Sequence, residues 1–252
     1  MVPEISVVTV VKNNSTGLEN TLKSVISQKF ANWECLIISA ESTDDTQSIA
    51  DTFARKDSRF LHFHESLQGI YESMNQGVLL ATAPYVVFMN AGDIFASTQS
   101  IDVLRNEIIS ENYAVVVGGY ASEGVIYSFS PLVFGPKRFS LNRRWGCHQS
   151  MVFNRKEILS LAGFSTAYKL SSDFDLVLKL LSKSKGKRIQ EVISVIEPNG
   201  ISSKYISVVL REKQNIRKSH FGEFSSNSLL GYFWTLAVRF KIGLRRLSSV
   251  FS

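Results

Sequence analysis

The chain has 252 residues, 44 % hydrophobic and 20 % charged, enough apolar material for one sizeable core and too much for a disordered chain. Its net charge of +6 is unevenly spread: residues 1–203 carry 19 Lys/Arg against 20 Asp/Glu, leaving 28 − 19 = 9 against 22 − 20 = 2 in residues 204–252. A main part at −1 offers no basic groove, which argues against nucleic acid as a partner, whereas an end segment at +7 points to an anionic surface.

In chain order, Ile5–Val11 is a continuous, mostly β-branched run, the pattern of a strand buried on both faces. Residues 16–28 place Leu18, Leu22, Val25 and Ile26 at helical spacing. Residues 33–38 read as a second strand. Thr43 is then expected to cap a helix in which Ile49 and Phe53 fall four apart, with Asp44 and Asp45 at its positive end. A short strand over 59–63, a helix over 70–81, a strand over 84–89, a helix over 100–110 and a strand over 114–120 follow. This alternation predicts an α/β fold, Rossmann-like and doubly wound, with a mostly parallel sheet. The second half is less regular. Strand-like pieces and a Gly135-Pro136 turn lead to Lys137, Arg138, Arg143 and Arg144; helices are expected over 154–161 and 173–181, a strand over 187–196 and a basic helix over 203–220. There is no internal repeat and no long linker. The expected division is therefore a main domain over 1–203 and a basic helical extension over 204–252. Cys35 and Cys147 have neither disulfide-framework nor zinc spacing, and Cys35 lies in a strand pattern as a small core residue.

The fourth strand stops on Asn90-Ala91-Gly92-Asp93. Ligands of open parallel sheets sit outside the carboxyl ends of the strands, so a strand-end Asp is placed where chemistry occurs. Other segments share its company. The first strand runs through Val10 into Lys12-Asn13; the second ends Ser39-Ala40-Glu41-Ser42-Thr43-Asp44-Asp45-Thr46; the next helix opens Gly69-Ile70-Tyr71-Glu72-Ser73-Met74-Asn75-Gln76-Gly77; later come His148-Gln149-Ser150 and Ser171-Ser172-Asp173-Phe174-Asp175.

Taken together these motifs resemble glycosyltransferase family 2, the inverting GT-A enzymes, over about residues 4–200. The branch they are most similar to is that of bacterial exopolysaccharide enzymes such as the colanic acid glycosyltransferases. The resemblance implies a GT-A fold and a nucleotide-diphosphate sugar donor, with Mg²⁺ or Mn²⁺ on Asp93. It places the catalytic base at Asp173, with Asp175 in reserve, and donor contacts at Val10, Asn13, Ser39, Tyr71, Asn75, Asn90 and His148. The chain departs from the family at three points. Asn90 and Gly92 stand where acids are common, and Ser39 replaces the Asp that usually reads the nucleotide, a task that falls either to Ser39 or to Glu41.

The chemistry explains these residue types. A hard divalent cation on a carboxylate neutralises the leaving diphosphate, and one or two protein oxygens suffice when phosphates supply others. Inversion needs a base that takes the acceptor hydroxyl's proton on the face opposite the leaving group. His148 beside Cys147 lacks partners at metal spacing and is expected to line the pocket. Asp44 is expected to cap a helix. An NAD-type enzyme would want Gly-x-Gly-x-x-Gly after the first strand, where the chain reads Lys12-Asn13-Asn14-Ser15-Thr16-Gly17, and no P-loop exists. The remaining rival is a non-catalytic GT-A-like domain that binds nucleotide sugars or scaffolds a glycan assembly complex.

Residues 229–238 form a ten-residue uncharged run, about half of what a spanning helix needs. Arg239, Lys241, Arg245 and Arg246 follow, interleaved with Phe240, Ile242 and Leu244, and Tyr232 and Trp234 lie nearby. That is the composition of an interfacial anchor; the alternative is a helix packed on the domain with a solvated basic end. With no basic and apolar leader before the first strand, export is not expected. The sequence thus suggests a cytoplasmic protein, peripheral on the cytoplasmic face of the inner membrane. There it would act on a polyprenyl-diphosphate-linked oligosaccharide at an anionic membrane surface.

Overall fold

The computed structural model describes residues 2–65, 69–141, 146–198 and 200–222. The chain divides into two compact units, Met1–Ile206 and Ser207–Ser252. The first opens with β1 (Ile5–Val11), α1 (Ser15–Ile26), β2 (Trp33–Ala40), α2 (Thr46–Lys56), β3 (Phe60–Glu65), α3 (Ile70–Leu80) and β4 (Tyr85–Phe88). It continues through β5 (Ile94–Phe95), α4 (Ser100–Glu111), β6 (Val115–Ser122), β7 (Val125–Tyr127), β8 (Leu132–Phe134) and α5 (Pro136–Leu141). A 3₁₀ turn (His148–Ser150) then leads into β9 (Met151–Asn154), α6 (Arg155–Ser160), α7 (Ser172–Lys183), β10 (Gly186–Val195) and α8 (Ile201–Lys204).

The strands form one sheet in the order β3-β2-β1-β4-β9-β6-β10-β5, with β7 on β6 and β8 on β10. The pairs β3–β2, β2–β1, β1–β4 and β6–β10 are parallel; β9 lies antiparallel between β4 and β6. β1 is buried along its whole length because helices cover both faces. Ile5, Val7 and Val11 join Leu18, Leu22 and Val25 of α1 and Ile101, Leu104 and Ile108 of α4 in one core cluster. Val8 points the other way, to α3. A Cβ on Gly77 would fall within 3.1 Å of Val8 Cγ2, so the glycine that closes the α3 motif lets that helix lie on the strand.

At the amino ends of the strands, buried Glu34 ties elements together. Its Oε1 accepts from Ser6 Oγ (2.6 Å), Thr82 N (2.6 Å), Thr82 Oγ1 (2.9 Å) and Ala83 N (3.2 Å). At the opposite, carboxyl ends, the order β2-β1-β4 makes a switch point beside β1, where a crevice is expected.

The mostly parallel α/β fold read from the sequence holds, with local corrections. Thr43 does not cap α2. Its N–H donates to Asn13 Oδ1 (2.8 Å), and the carboxylate at that helix start is Asp44, whose Oδ1 accepts from Thr46 N (3.1 Å). The strand expected over 114–120 joins β4 only through β9, and both β9 and the two-residue β5 escaped the sequence reading. The basic helix expected over 203–220 is split into α8 and α9 (Ile206–Phe221) by Tyr205. Of the second unit, the described part is the helical stretch through Phe221 and Gly222. Arg143, Arg144 and the whole segment expected to form an anchor lie outside the described residues. Among those described, no helix is long and apolar enough to cross a membrane.

Candidate active site

The Asn90–Asp93 turn is fixed from below by α1. Thr21 Oγ1 donates to the Asp93 carbonyl (2.7 Å) and accepts from Gly92 N (3.1 Å), while Asn14 Nδ2 donates to the Ala91 carbonyl (3.2 Å). The same Asn14 caps α1 through Gly17 N (3.0 Å), so one residue holds both the helix start and the turn. Val10 is buried, and its carbonyl accepts from Ala91 N (3.2 Å).

Asp93 is 6 % exposed. Gln149 Nε2 donates to its Oδ2 (2.7 Å) and Glu197 N to its Oδ1 (2.9 Å). Burial pushes its carboxyl above the ordinary value, and those two donors pull it back in part.

Asn90 and Asp173 are joined through His148. Asn90 Nδ2 lies 3.1 Å from His148 Nε2, and His148 Nδ1 lies 3.5 Å from Asp173 Oδ2. On the other side Tyr71 OH donates to Asp173 Oδ1 (3.4 Å). Burial, and then the Asp173 charge, raise the Tyr71 hydroxyl well above its usual value, so it stays a donor. Asp173 sits in the first turn of α7 with its side chain 27 % exposed. Asp175 is buried and its Oδ2 is 2.7 Å from Lys179 Nζ, one turn along the same helix. Asp173, His148, Asn90 and Tyr71 thus meet, and Gln149, the residue after His148, bonds Asp93.

The other expected donor residues are tied into the scaffold. Asn75 clamps Phe164, accepting from its N–H (2.7 Å) and donating to its carbonyl (2.9 Å), and the Phe164 ring stacks on Tyr71 at 5.5 Å. Asn13 takes a left-handed backbone (φ 49°) and its N–H donates to Ser42 Oγ (3.1 Å), so β1 and β2 are sewn together at their carboxyl ends. Ser39 is fully buried. Its hydroxyl lies 2.7 Å from His62 Nε2 and 2.9 Å from Gln47 Oε1, and His62 Nδ1 lies 2.7 Å from Asp51 Oδ1. Glu41 is exposed.

The family-model description "Glycosyl transferase family 2" matches residues 6–160. The chain belongs to glycosyltransferase family 2. This glycosyltransferase is 26 % identical over 195 residues to the "PGL/p-HBAD biosynthesis glycosyltransferase" of Mycobacterium bovis, covering 71 % of this chain and 70 % of the relative. It is 27 % identical over 121 residues to "Putative glycosyltransferase EpsH" of Bacillus subtilis, covering 48 % and 35 %. The fold is shared with S. aureus TarS in complex with UDP-GlcNAc (TM-score 0.69, 14 % identity, 87 % of this chain and 68 % of that one). It is also shared with mannosyltransferase PcManGT from Pyrobaculum calidifontis in complex with GDP-Man and Mn²⁺ (TM-score 0.64, 15 % identity, 87 % and 62 %).

The residues of the glycosyltransferase suit a hard cation. Asp93 supplies a buried carboxylate, and the Oδ1 of Asn90 is buried and has no hydrogen-bond partner among the described residues. No group of three or more His, Cys, Asp or Glu among the described residues could hold a metal ion by itself. A cation held there would take further oxygen ligands from a bound molecule.

Two residues at this site were not singled out by the sequence. Gln149 belongs to the His148-Gln149-Ser150 segment expected to line the donor or acceptor pocket, without a contact of its own to Asp93. Glu197 lies 104 residues from Asp93, in a segment without a motif.

Proposed function

We propose that this family 2 enzyme transfers a sugar, with inversion, from a nucleotide-diphosphate sugar to a hydroxyl of a glycan acceptor. The observation that carries the reading is that two adjacent residues reach two carboxylates, Gln149 bonding buried Asp93 and His148 lying against the more accessible Asp173, beside the turn that ends β4. Asp173 takes the proton as the acceptor oxygen bonds to the anomeric carbon, and the bond from that carbon to the diphosphate oxygen breaks with its electron pair on the leaving nucleoside diphosphate. His148 and Tyr71 hold the Asp173 carboxylate from both sides, which fixes its aim before substrate arrives. Asp93 and Asn90 face the diphosphate; when bound there, Mg²⁺ or Mn²⁺ supplies neutralisation of the negative charge that develops on it. The ion pair of Asp175 with Lys179 favours Asp173 as the base.

The acceptor in this reading is a polyprenyl-diphosphate-linked oligosaccharide of bacterial surface or exopolysaccharide synthesis. The +7 charge of residues 204–252 and the aromatic-basic run near their end support a peripheral position on the cytoplasmic face of the inner membrane, with 1–203 as the catalytic domain. The decisive experiment screens nucleotide sugars for turnover that depends on divalent cation. Slow donor hydrolysis with Mn²⁺ is expected even without acceptor. Absence of turnover and of thermal stabilisation by every nucleotide sugar would favour the non-catalytic scaffold instead.

A further inference from the structure

Gly92 directly precedes Asp93 in the turn, and a second carboxylate reaches its place from elsewhere in the chain. The antiparallel ladder between β5 and β10 pairs Phe95 with Ser194 and Ile94 with Val195, and each pair of numbers sums to 289. The Ala96 N–H to Ile193 carbonyl bond (2.8 Å) follows the same rule. Continued two residues past the last pair, the ladder sets Glu197 opposite Gly92. The contacts agree. A Cβ on Gly92 would lie 2.7 Å from Glu197 Cδ and closer still to Oε2, so the Glu197 carboxylate fills the space into which a side chain at 92 would project. Gly92 also has φ +104°, a conformation that side-chain-bearing residues rarely adopt. Glycine at 92 and glutamate at 197 are thus two halves of one arrangement.

Among the described residues no hydrogen bond or ion pair of the scaffold takes up the Glu197 carboxylate. Glu197 uses its backbone N–H, not its side chain, to hold Asp93, and like charge beside a buried carboxylate is unfavourable. Among the described residues neither Asp93 nor Glu197 forms an ion pair with a lysine or arginine. Glu197 is exposed, the buried Oδ1 of Asn90 has no partner among the described residues, and all three groups offer hard oxygen.

We propose that the Glu197 carboxylate is the second protein carboxylate of the cation–diphosphate site headed by Asp93, supplied through space where the turn carries glycine. The inference rests on the donor chemistry proposed above. It implies that a hard divalent cation brought in with a nucleoside diphosphate meets two carboxylates that are far apart in sequence.

The test is Mn²⁺ binding followed by the electron paramagnetic resonance of free Mn²⁺, with UDP and, separately, GDP present, on the full chain and its Asp93→Asn and Glu197→Gln variants. Expected are nucleotide-dependent Mn²⁺ binding by the parent chain, its loss in Asp93→Asn, and at least about tenfold weaker Mn²⁺ binding in Glu197→Gln with metal-free nucleotide affinity unchanged. Glu197→Ala, which keeps the backbone N–H on Asp93, should weaken Mn²⁺ binding to the same extent. If Asp93→Asn loses Mn²⁺ while both Glu197 variants bind it as the parent does, this inference falls and the donor chemistry stands. If the parent binds no Mn²⁺ with either nucleotide, the role of Glu197 falls, and the donor chemistry is decided by the wider nucleotide-sugar screen.

Discussion

Burial raises the Asp93 carboxyl, so its ionised form is held against the preference of the fold. The sign follows from linkage. A carboxyl raised on folding adds stability below its unfolded value and loses it as pH climbs through the folded one, so at neutral pH the charge on Asp93 lowers stability. Asp93→Asn should therefore raise the melting temperature at pH 7 while abolishing divalent-dependent donor turnover; a lower melting temperature would show that the Gln149 and Glu197 hydrogen bonds outweigh the buried charge. Asp173→Asn makes the complementary case. It keeps the size of the side chain and removes proton acceptance, so kcat should fall about 10²–10⁴-fold with donor affinity retained. A variant that chiefly loses donor affinity would make Asp173 a donor ligand. Within the site, Asp93, Asp173 and His148 were legible because they lie in compact motifs. The contact of Gln149 with Asp93 spans 56 positions and that of Glu197 spans 104, and local pattern carries no signal across such separations.

Among the elements, β1 to β4 were legible because each is a run of apolar residues bounded by turns and separated by helical periodicity. β5 and β9 were not. The two residues of β5 are too few to establish a period, and β9 runs straight into the helix that follows with no turn to bound it, so only its pairing on both sides defines it. The junction of α1 and α2 shows how a polar side chain does work that hydrophobic pattern does not report. Asp44 accepts from Thr46 Oγ1 and N at the start of α2 and from Ser15 N at the start of α1 (2.9 Å), which brings its carboxyl down from 3.8 to about 2. A group lowered in this way gives stability above its unfolded value and loses it as pH falls through the folded one. Acid should thus weaken this junction between about pH 4 and 2, and Asp44→Asn should flatten that part of the stability profile. At the other end of the strands, Glu34→Ala removes the acceptor of the Ser6 and Thr82 hydroxyls and of the Thr82 amide, while the Ala83 amide keeps its bond to Ser6 Oγ (3.2 Å). Chemical denaturation should show a loss of about 3 kcal/mol. A change below about 0.5 kcal/mol would mean that this hub does not hold β2 to the start of β4.

At the scale of the whole molecule, charge is segregated: nearly all the excess positive charge follows residue 203. Deleting residues 226–252 removes four basic residues and the ten-residue apolar run. If that segment is the anchor, the shortened enzyme keeps donor hydrolysis and no longer co-sediments with anionic vesicles, while salt releases the full chain only in part, because screening weakens charge attraction and not apolar burial. A full chain that ignores anionic vesicles would end the membrane reading. The general plan of the first unit was legible from its repeating β-α order, whereas the reversal of direction at β9 was not. That reversal has a consequence for how the molecule is made. Strands β1 to β4 close through short crossovers, but β6 and β10 can join them only after β9 has been synthesised, some 60 residues past β4. Asp93 emerges from the ribosome with the first group, and its partners Gln149 and Glu197 emerge much later. The protein therefore acquires a half able to bury itself before it acquires a site able to react, and amide protection should appear in β1 and β2 before it appears along the β4–β9 seam.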